Sequence, residues 1–306
     1  IDGEDSTDES GRSISLSSNG SVLAIGASHN DGNGLDNAGH TRIYNWNGSS
    51  WIQLGQDIDG EFDRDFSGNS VSLSSDGSSV AIGALYNDGN GLSSGHVRIY
   101  NWNGISWIQR GQDLDGEFSH DWFGRSVSLS SDGNIVAIGA QMNSENCTDC
   151  GHVRIYSWNG SSWIQLGQDI DGQNAYDYSG RSVSLSSDGN IVAIGAPQNS
   201  GITNGYGHVR IFSWDGNSWI QIGQDINGEN IGDHSGISVS LSSTGNKIAI
   251  GAYKNDGNGL DAGHVRIYEN ISNNWVQIGQ DIDGELADDW SGYSVSLSSD
   301  GNILAI

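Results

Sequence analysis

The stretch RSVSLS, residues 125–130, alternates small polar and apolar positions with period two, the pattern of a half-buried strand. SSDGN follows as a turn, and NIVAIGA (134–140) is a nearly continuous apolar run, so the two segments read as a hairpin. After the loop QMNSENCTDCG come HVRIYSW (152–158), the turn NGSS and WIQLGQD (163–169), a third and a fourth strand that form a second hairpin. In HVRIYSW, Val153 and Ile155 point to one side while His152, Arg154, Tyr156 and Trp158 point to the other, so neither side is plainly solvent. No segment carries the helical period.

The same four-strand phrase returns along the chain. Its opening aspartate falls at Asp8, Asp65, Asp121, Asp177, Asp233 and Asp289, a period of about 56 residues, with units starting near 11, 68, 124, 180, 236 and 292. Four short strands per unit predict a blade, and the chain as one all-β domain over 1–306, a β-propeller of four-stranded blades. A β-sandwich is disfavoured, because its strands occupy unlike positions and seldom repeat so literally, whereas every blade meets the same neighbours. The first hairpin occurs at all six starts and the second follows only the first five. About six blades are therefore expected, the last of them incomplete, with self-assembly through that half-blade as one way to close it.

Composition sharpens this picture. Forty-six glycines and a single proline suit an all-β chain full of tight turns. Thirty-eight acids against 12 Lys and Arg leave a net charge of −26, which excludes nucleic acid and favours cations or partners with cationic patches. No apolar run reaches the roughly 20 residues of a membrane span, so no membrane insertion is expected in this segment. Opening on IDGED and stopping on NILAI in mid-phrase, the sequence reads as an excised piece or a processed chain. Cys147 and Cys150, close together in one loop and without a second ligand pair for zinc, predict a local disulfide and hence an oxidising compartment. Sequons at Asn19, Asn47, Asn146, Asn159 and Asn270 suit a secreted, cell-surface glycoprotein, although Asn-Gly-Ser turns also generate them by chance.

The segment from Phe123-Gly124 through SVSLSSDGNIVAIGA resembles the FG-GAP repeat of integrin α-subunit heads and many secreted proteins. The likeness covers essentially the whole chain. Ser67-Gly68, Ser179-Gly180, Ser235-Gly236 and Ser291-Gly292 carry Ser in place of Phe, and only Gly195-Ala196-Pro197 spells the second motif in full. The resemblance implies a propeller engaged in ligand recognition or adhesion, without chemistry of its own. Calcium-binding members carry a DxDxDGxxD loop between the first two strands; here that loop is SSDG, and one carboxylate cannot supply the six to eight oxygens calcium takes.

Candidate chemistry sits on the side of the long, acidic connections. Asp57, Asp59 and Glu61, with their copies Asp113, Asp115 and Glu117 and Asp281, Asp283 and Glu285, place carboxylates at alternate positions of an extended segment. That arrangement suits a hard cation such as Ca²⁺, and the plainer reading is of Asx turns and solvated acids. Arg42, Arg98, Arg154, Arg210 and Arg266 share one register of the third strand, and the aspartates opening each repeat are the expected partners. His40, His96, His152, His208 and His264 read as packing residues, as do the tryptophans bracketing each short turn, such as Trp158 and Trp163. No nucleophile constellation appears. The sequence thus predicts a non-enzymatic extracellular adhesion or structural module whose acidic loop face meets protein or glycan partners. A multivalent lectin using exposed Trp and Asn is the alternative.

Overall fold

The computed structural model describes residues 1–199 and 205–306. The first sheet shows the plan: β1 (Ser10–Leu16), β2 (Val22–Ala27), β3 (His40–Trp46), β4 (Trp51–Gln53) and β5 (Ile58–Asp59), in the order β1-β2-β3-β4, with β5 also on β3. Both β4 and β5 lie along the outer edge of β3, which pairs Tyr44 with Gln53 on the one and His40 with Asp59 on the other. The fourth strand expected from the sequence is therefore broken in two. It stops after three residues because Leu54-Gly55 turns away, Gly55 adopting φ +80°, and it resumes at Ile58. The same order recurs in sheets that open with Ser67–Leu73, Phe123–Leu129, Ser182–Leu185 and Ser238–Leu241. Ser296–Leu297 and Leu304–Ala305 form an incomplete, two-stranded sixth. The chain is thus all-β, built of repeated four-stranded antiparallel sheets of the propeller class; among the described residues its sole helical segment is a 3₁₀ turn at Gly32–Gly34.

Two compact units divide the chain, one of residues 1–140 with 155–165, the other of 141–154 with 166–306. In the first, Val22, Ala24, Ile43 and Ile58 of the first sheet share a core with Val71, Leu73, Val80, Ile82, Tyr100 and Trp107 of the second. In the second unit, Ala193, Val209, Ile211 and Ile226 meet Val239, Leu241, Ile248, Ile250, Tyr268 and Trp275 in the same way. Continuous apolar runs in the inner strands follow from this, since each such strand is covered on both faces. Trp107 closes the seam: only 2% exposed, it donates its indole N–H to the Leu54 carbonyl at 2.8 Å.

One contact explains the paired glycine motifs. Gly26 of β2 lies against Gly68 at the start of the next sheet, so close that a Cβ on Gly26 would stand 2.0 Å from the Gly68 carbonyl oxygen. That oxygen also accepts the Ser13 hydroxyl at 2.8 Å. Two sheets approach at backbone distance there, and no side chain fits between them. Where no neighbour covers a sheet, the same positions are bare: Ile14 and Leu16 of β1 are 64% and 55% exposed, while their copies Val71 and Leu73 are 8% and 7%.

Candidate functional site

The third strand of each of the five complete sheets begins with a buried histidine and, two residues on, a buried arginine. His40, His96, His152 and His264 each meet two carboxylates, in the sets Glu4–His40–Asp57, Glu61–His96–Asp113, Glu145–His152–Asp169 and Glu229–His264–Asp281. A cation already sits at each set. Arg42 reaches Glu4 at 3.3 Å, Arg98 reaches Glu61 at 3.1 Å and Arg266 reaches Glu229 at 3.4 Å, while Arg154 grips Asp169 through Nε at 2.9 Å and Nη2 at 2.6 Å. Burial, then the adjacent arginine, holds His96 and His208 down to about 4, so the imidazoles are neutral at pH 7 and the guanidinium carries the positive charge.

These pairings correct the expectation that the aspartates opening each repeat serve the arginines. Asp65 Oδ2 instead accepts from the backbone N–H of Glu61 (3.1 Å) and Phe62 (3.0 Å) and from Asn87 Nδ2 (3.1 Å). Asp177 does the same with Gln173, Asn174 and Asn199. One buried carboxylate thus staples two long loops together. Main-chain bonds tie the aspartate's own loop to a third connection, that of the preceding sheet: Arg64, Phe66 and Ser67 donate to the carbonyls of Asp36, Asn37 and Ala38, and His120, Trp122 and Phe123 donate to those of Leu92, Ser93 and Ser94. Thr148, Asp149 and Cys150 accept from Tyr176, Tyr178 and Ser179 in the same register.

The stapled loops hold apolar side chains out in water among the acids. Phe62, Leu92 and Phe118 are exposed in the first unit, and Ile231, Leu260 and Leu286 in the second. Just inside them, Phe66 and Trp122 adopt left-handed backbone, φ 53° and 55°, and stand half-buried. Their rings form a row in which His29 meets Phe66 at 4.7 Å, Phe66 meets Tyr86 at 5.1 Å and Tyr86 meets Trp122 at 5.2 Å, all edge to face. The sequence reading missed this row. Aligning the repeats would have found it, because Phe66, Trp122, Tyr178, His234 and Trp290 all precede the Ser/Phe-Gly dipeptide.

The cation candidates do not converge within their own segments. Asp57 turns to His40 and Glu4, Asp59 accepts from Asn33 Nδ2 at 2.6 Å, and Glu61 crosses to Arg98 of the next sheet. Gly60 causes the divergence, packed under the Ala38 carbonyl where a Cβ would lie 2.1 Å from the oxygen. Asp113 joins His96 and Glu61, and Asp281 joins His264 and Glu229. Asp115 is half-buried, Asp283 lies 4.0 Å from His264, and Glu117 and Glu285 stand at the exposed loops. The sets that do form each combine one imidazole nitrogen with two carboxylates, a mixed group unlike the all-oxygen shell that calcium takes. In the short turns the lone carboxylate is consumed locally, Asp76 accepting from Ser74 Oγ and from the Ser78 N–H.

Cys147 and Cys150, expected to be joined, stand as free thiols. Cys150 turns inward and donates to the Cys147 carbonyl at 2.8 Å; burial and the neighbouring Cys147 push its pKa up to about 12. Asn47 and Asn159 are turn acceptors for the N–H groups two and three residues on, Asn19 accepts from the Ser21 N–H and Asn270 from that of Asn273. Asn146 is exposed in the cysteine loop. Of the bracketing tryptophans, the second is buried in four sheets (Trp107, Trp163, Trp219, Trp275), which removes those four from any sugar-stacking surface, and half-buried in the first (Trp51).

No family model matches the chain, and no curated protein matches it. Among solved structures it is similar to a 6-phosphogluconolactonase candidate from Bacteroides fragilis, at 13% identity and TM-score 0.58, over 91% of this chain and 71% of that one. A second such candidate, from Bacteroides uniformis, is matched at 10% identity and TM-score 0.54, over 89% of this chain and 85% of that one. A TolB candidate from Agrobacterium tumefaciens is matched at 13% and 0.51, over 95% and 86%. At such identities the likeness shows the propeller-type fold. It also overturns the expectation that the chain is not an enzyme: two of these neighbours carry an enzyme's name, so a repeat-sheet scaffold without an evident triad does not argue against catalysis.

Proposed function

We propose that the chain is an extracellular recognition and adhesion module of the FG-GAP type, whose stapled long loops bind a protein or glycan partner. The observation that carries the reading is the set of joined loops, zipped through the main chain yet presenting Phe62, Leu92 and Phe118 to solvent. Exposed apolar groups held in an acidic surround have no folding role, and such patches mark interaction surfaces. The contact between Gly26 and Gly68 supports the FG-GAP assignment, since it gives the two glycines of that repeat one shared physical reason. Glycan binding is favoured as the narrower reading by the half-exposed ring row beside the loops.

The test is binding of the immobilised chain to a panel of purified matrix proteins and oligosaccharides, repeated with the double variant Phe62→Ser/Phe118→Ser. At least one saturable partner is expected, with affinity falling about tenfold in the variant while the far-UV spectrum is unchanged. Absence of any saturable partner, or a partner indifferent to the variant, would overturn the reading.

A further inference from the structure

We propose that copies of this chain associate head to tail, the bare face of the first sheet in one copy packing on the two-stranded sixth sheet of another. The junctions inside each unit follow one rule, and it defines both surfaces. A leucine N–H in the first strand of a sheet donates to a serine hydroxyl of the sheet before it: Leu73 to Ser15 at 2.9 Å, Leu129 to Ser72 at 2.9 Å, Leu241 to Ser184 at 3.0 Å and Leu297 to Ser240 at 2.9 Å. The turns join beside these bonds, Ser18, Ser75, Ser187 and Ser243 donating their N–H groups to the carbonyls of Ser75, Ser131, Ser243 and Ser299. A side chain of the second strand then covers the turn glycine of the following sheet, Val22 over Gly77 and Ile191 over Gly245.

On the first sheet the receiving half of this junction is open. Ile14 and Leu16 are exposed, and Trp51 is half-buried where Trp107 and Trp275 are buried and donate their indole N–H groups to the Leu54 and Ile222 carbonyls of the sheet before. A Cβ on Gly20, the copy of Gly77, would meet nothing within 4 Å among the described residues. An array of repeats that ends in water closes on a polar face, whereas this one ends on Ile14 and Leu16. The place of a preceding sheet is nevertheless kept. Ile1-Asp2-Gly3 repeats Ile58-Asp59-Gly60, and the Asp2 carbonyl accepts Arg42 Nη2 at 3.2 Å, as that of Asp59 accepts Arg98 Nη2 at 2.7 Å and that of Asn227 accepts Arg266 Nη2 at 3.0 Å. The first residues thus stand where the last strand of a preceding sheet stands at the other junctions.

The sixth sheet carries the matching half. Ile303 is 71% exposed against 7% for its copy Val22, and Ala305 is exposed where its copies Ala24, Ala81 and Ala193 are fully buried. Ser296 and Ser299 repeat Ser15 and Ser18. Set against the first sheet of another copy in the register of the internal junctions, the Ser296 hydroxyl accepts from the Leu16 N–H, the Ser299 N–H donates to the Ser18 carbonyl, and Ile303 covers Gly20. The occupant is a second copy because the positions left unfilled on the first sheet correspond, residue for residue, to those left unfilled on the sixth. Such an interface joins two different surfaces, so each bound copy keeps one surface free.

Sedimentation velocity of the whole chain at rising concentration reads the association. Reversible growth beyond the monomer is expected. Ile14→Lys and Ile303→Lys, each at an exposed position, should both remain monomeric, with thermal unfolding as in the wild type. Mixed together, the two variants should form a dimer and nothing larger, because each supplies the intact surface that the other lacks. This rescue shows at once that both variants are folded and that unlike surfaces pair. Ile105→Lys, exposed on a short turn outside the junction, should associate as the wild type does. A wild-type chain that stays monomeric, association that either junction lysine leaves unmoved, or a mixture of the two variants in which no dimer forms would overturn the inference.

Discussion

Two side chains test the packing directly. A methyl group placed on Gly26 meets the Gly68 carbonyl at 2.0 Å, so Gly26→Ala must push two sheets apart; a loss of about 3 kcal/mol in urea denaturation is expected. Gly48, with φ +96° and nothing within reach of a Cβ, isolates the backbone cost, and Gly48→Ala should lose only about 1 kcal/mol. Gln173 is the opposite case. It stands where the other repeats carry Glu4, Glu61 and Glu229 as arginine partners, and Arg210 Nε is left buried without a hydrogen bond among the described residues. Gln173→Glu should supply the missing carboxylate and stabilise the fold by about 1 kcal/mol at pH 7, a gain that vanishes when the new carboxylate is protonated. The recurring Arg and Glu positions were legible in the sequence. Their pairing was not, because it joins loop residues of one repeat to the third strand of the next.

At the scale of the element, the third strand makes the molecule acid-sensitive. His96 and His208 are held at about 4 by burial, then by Arg98 and Arg210, against an ordinary value near 6.5 in the unfolded chain. The unfolded state therefore takes up protons first. The stability these residues contribute is full above about pH 6.5 and is lost as pH falls through about 4, at about 3 kcal/mol each. Burial also lowers His40 and His264, while buried Asp65, raised by burial, works in the opposite sense. Urea midpoints measured from pH 8 to pH 4 should drop most steeply between 6.5 and 4, and His96→Gln should flatten that slope; a flat profile in the wild type would contradict the assignment. The strands, the turns and the tryptophan brackets could be read from period and turn residues. The split outer strand could not, since WIQLGQD shows no break in alternation and the interruption comes from Gly55 meeting Trp102 and Trp107 of the next sheet.

For the molecule as a whole, the repeat does two jobs at different precision. Inner strands are nearly uniform because each sheet meets copies of itself, whereas the loops differ in sequence yet share one set of backbone bonds. The fold class was legible from periodicity alone. The ring row and the loop zipper were not, for they depend on which loops become neighbours. Recognition through those loops requires them to be rigid in the free protein, and amide hydrogen exchange measures this directly. The N–H groups of Arg64, Phe66, His120 and Trp122 should exchange with protection close to that of Ile82 and Ile99 and far slower than that of Gly48. Exchange of these loop amides at the rate of Gly48 would contradict it.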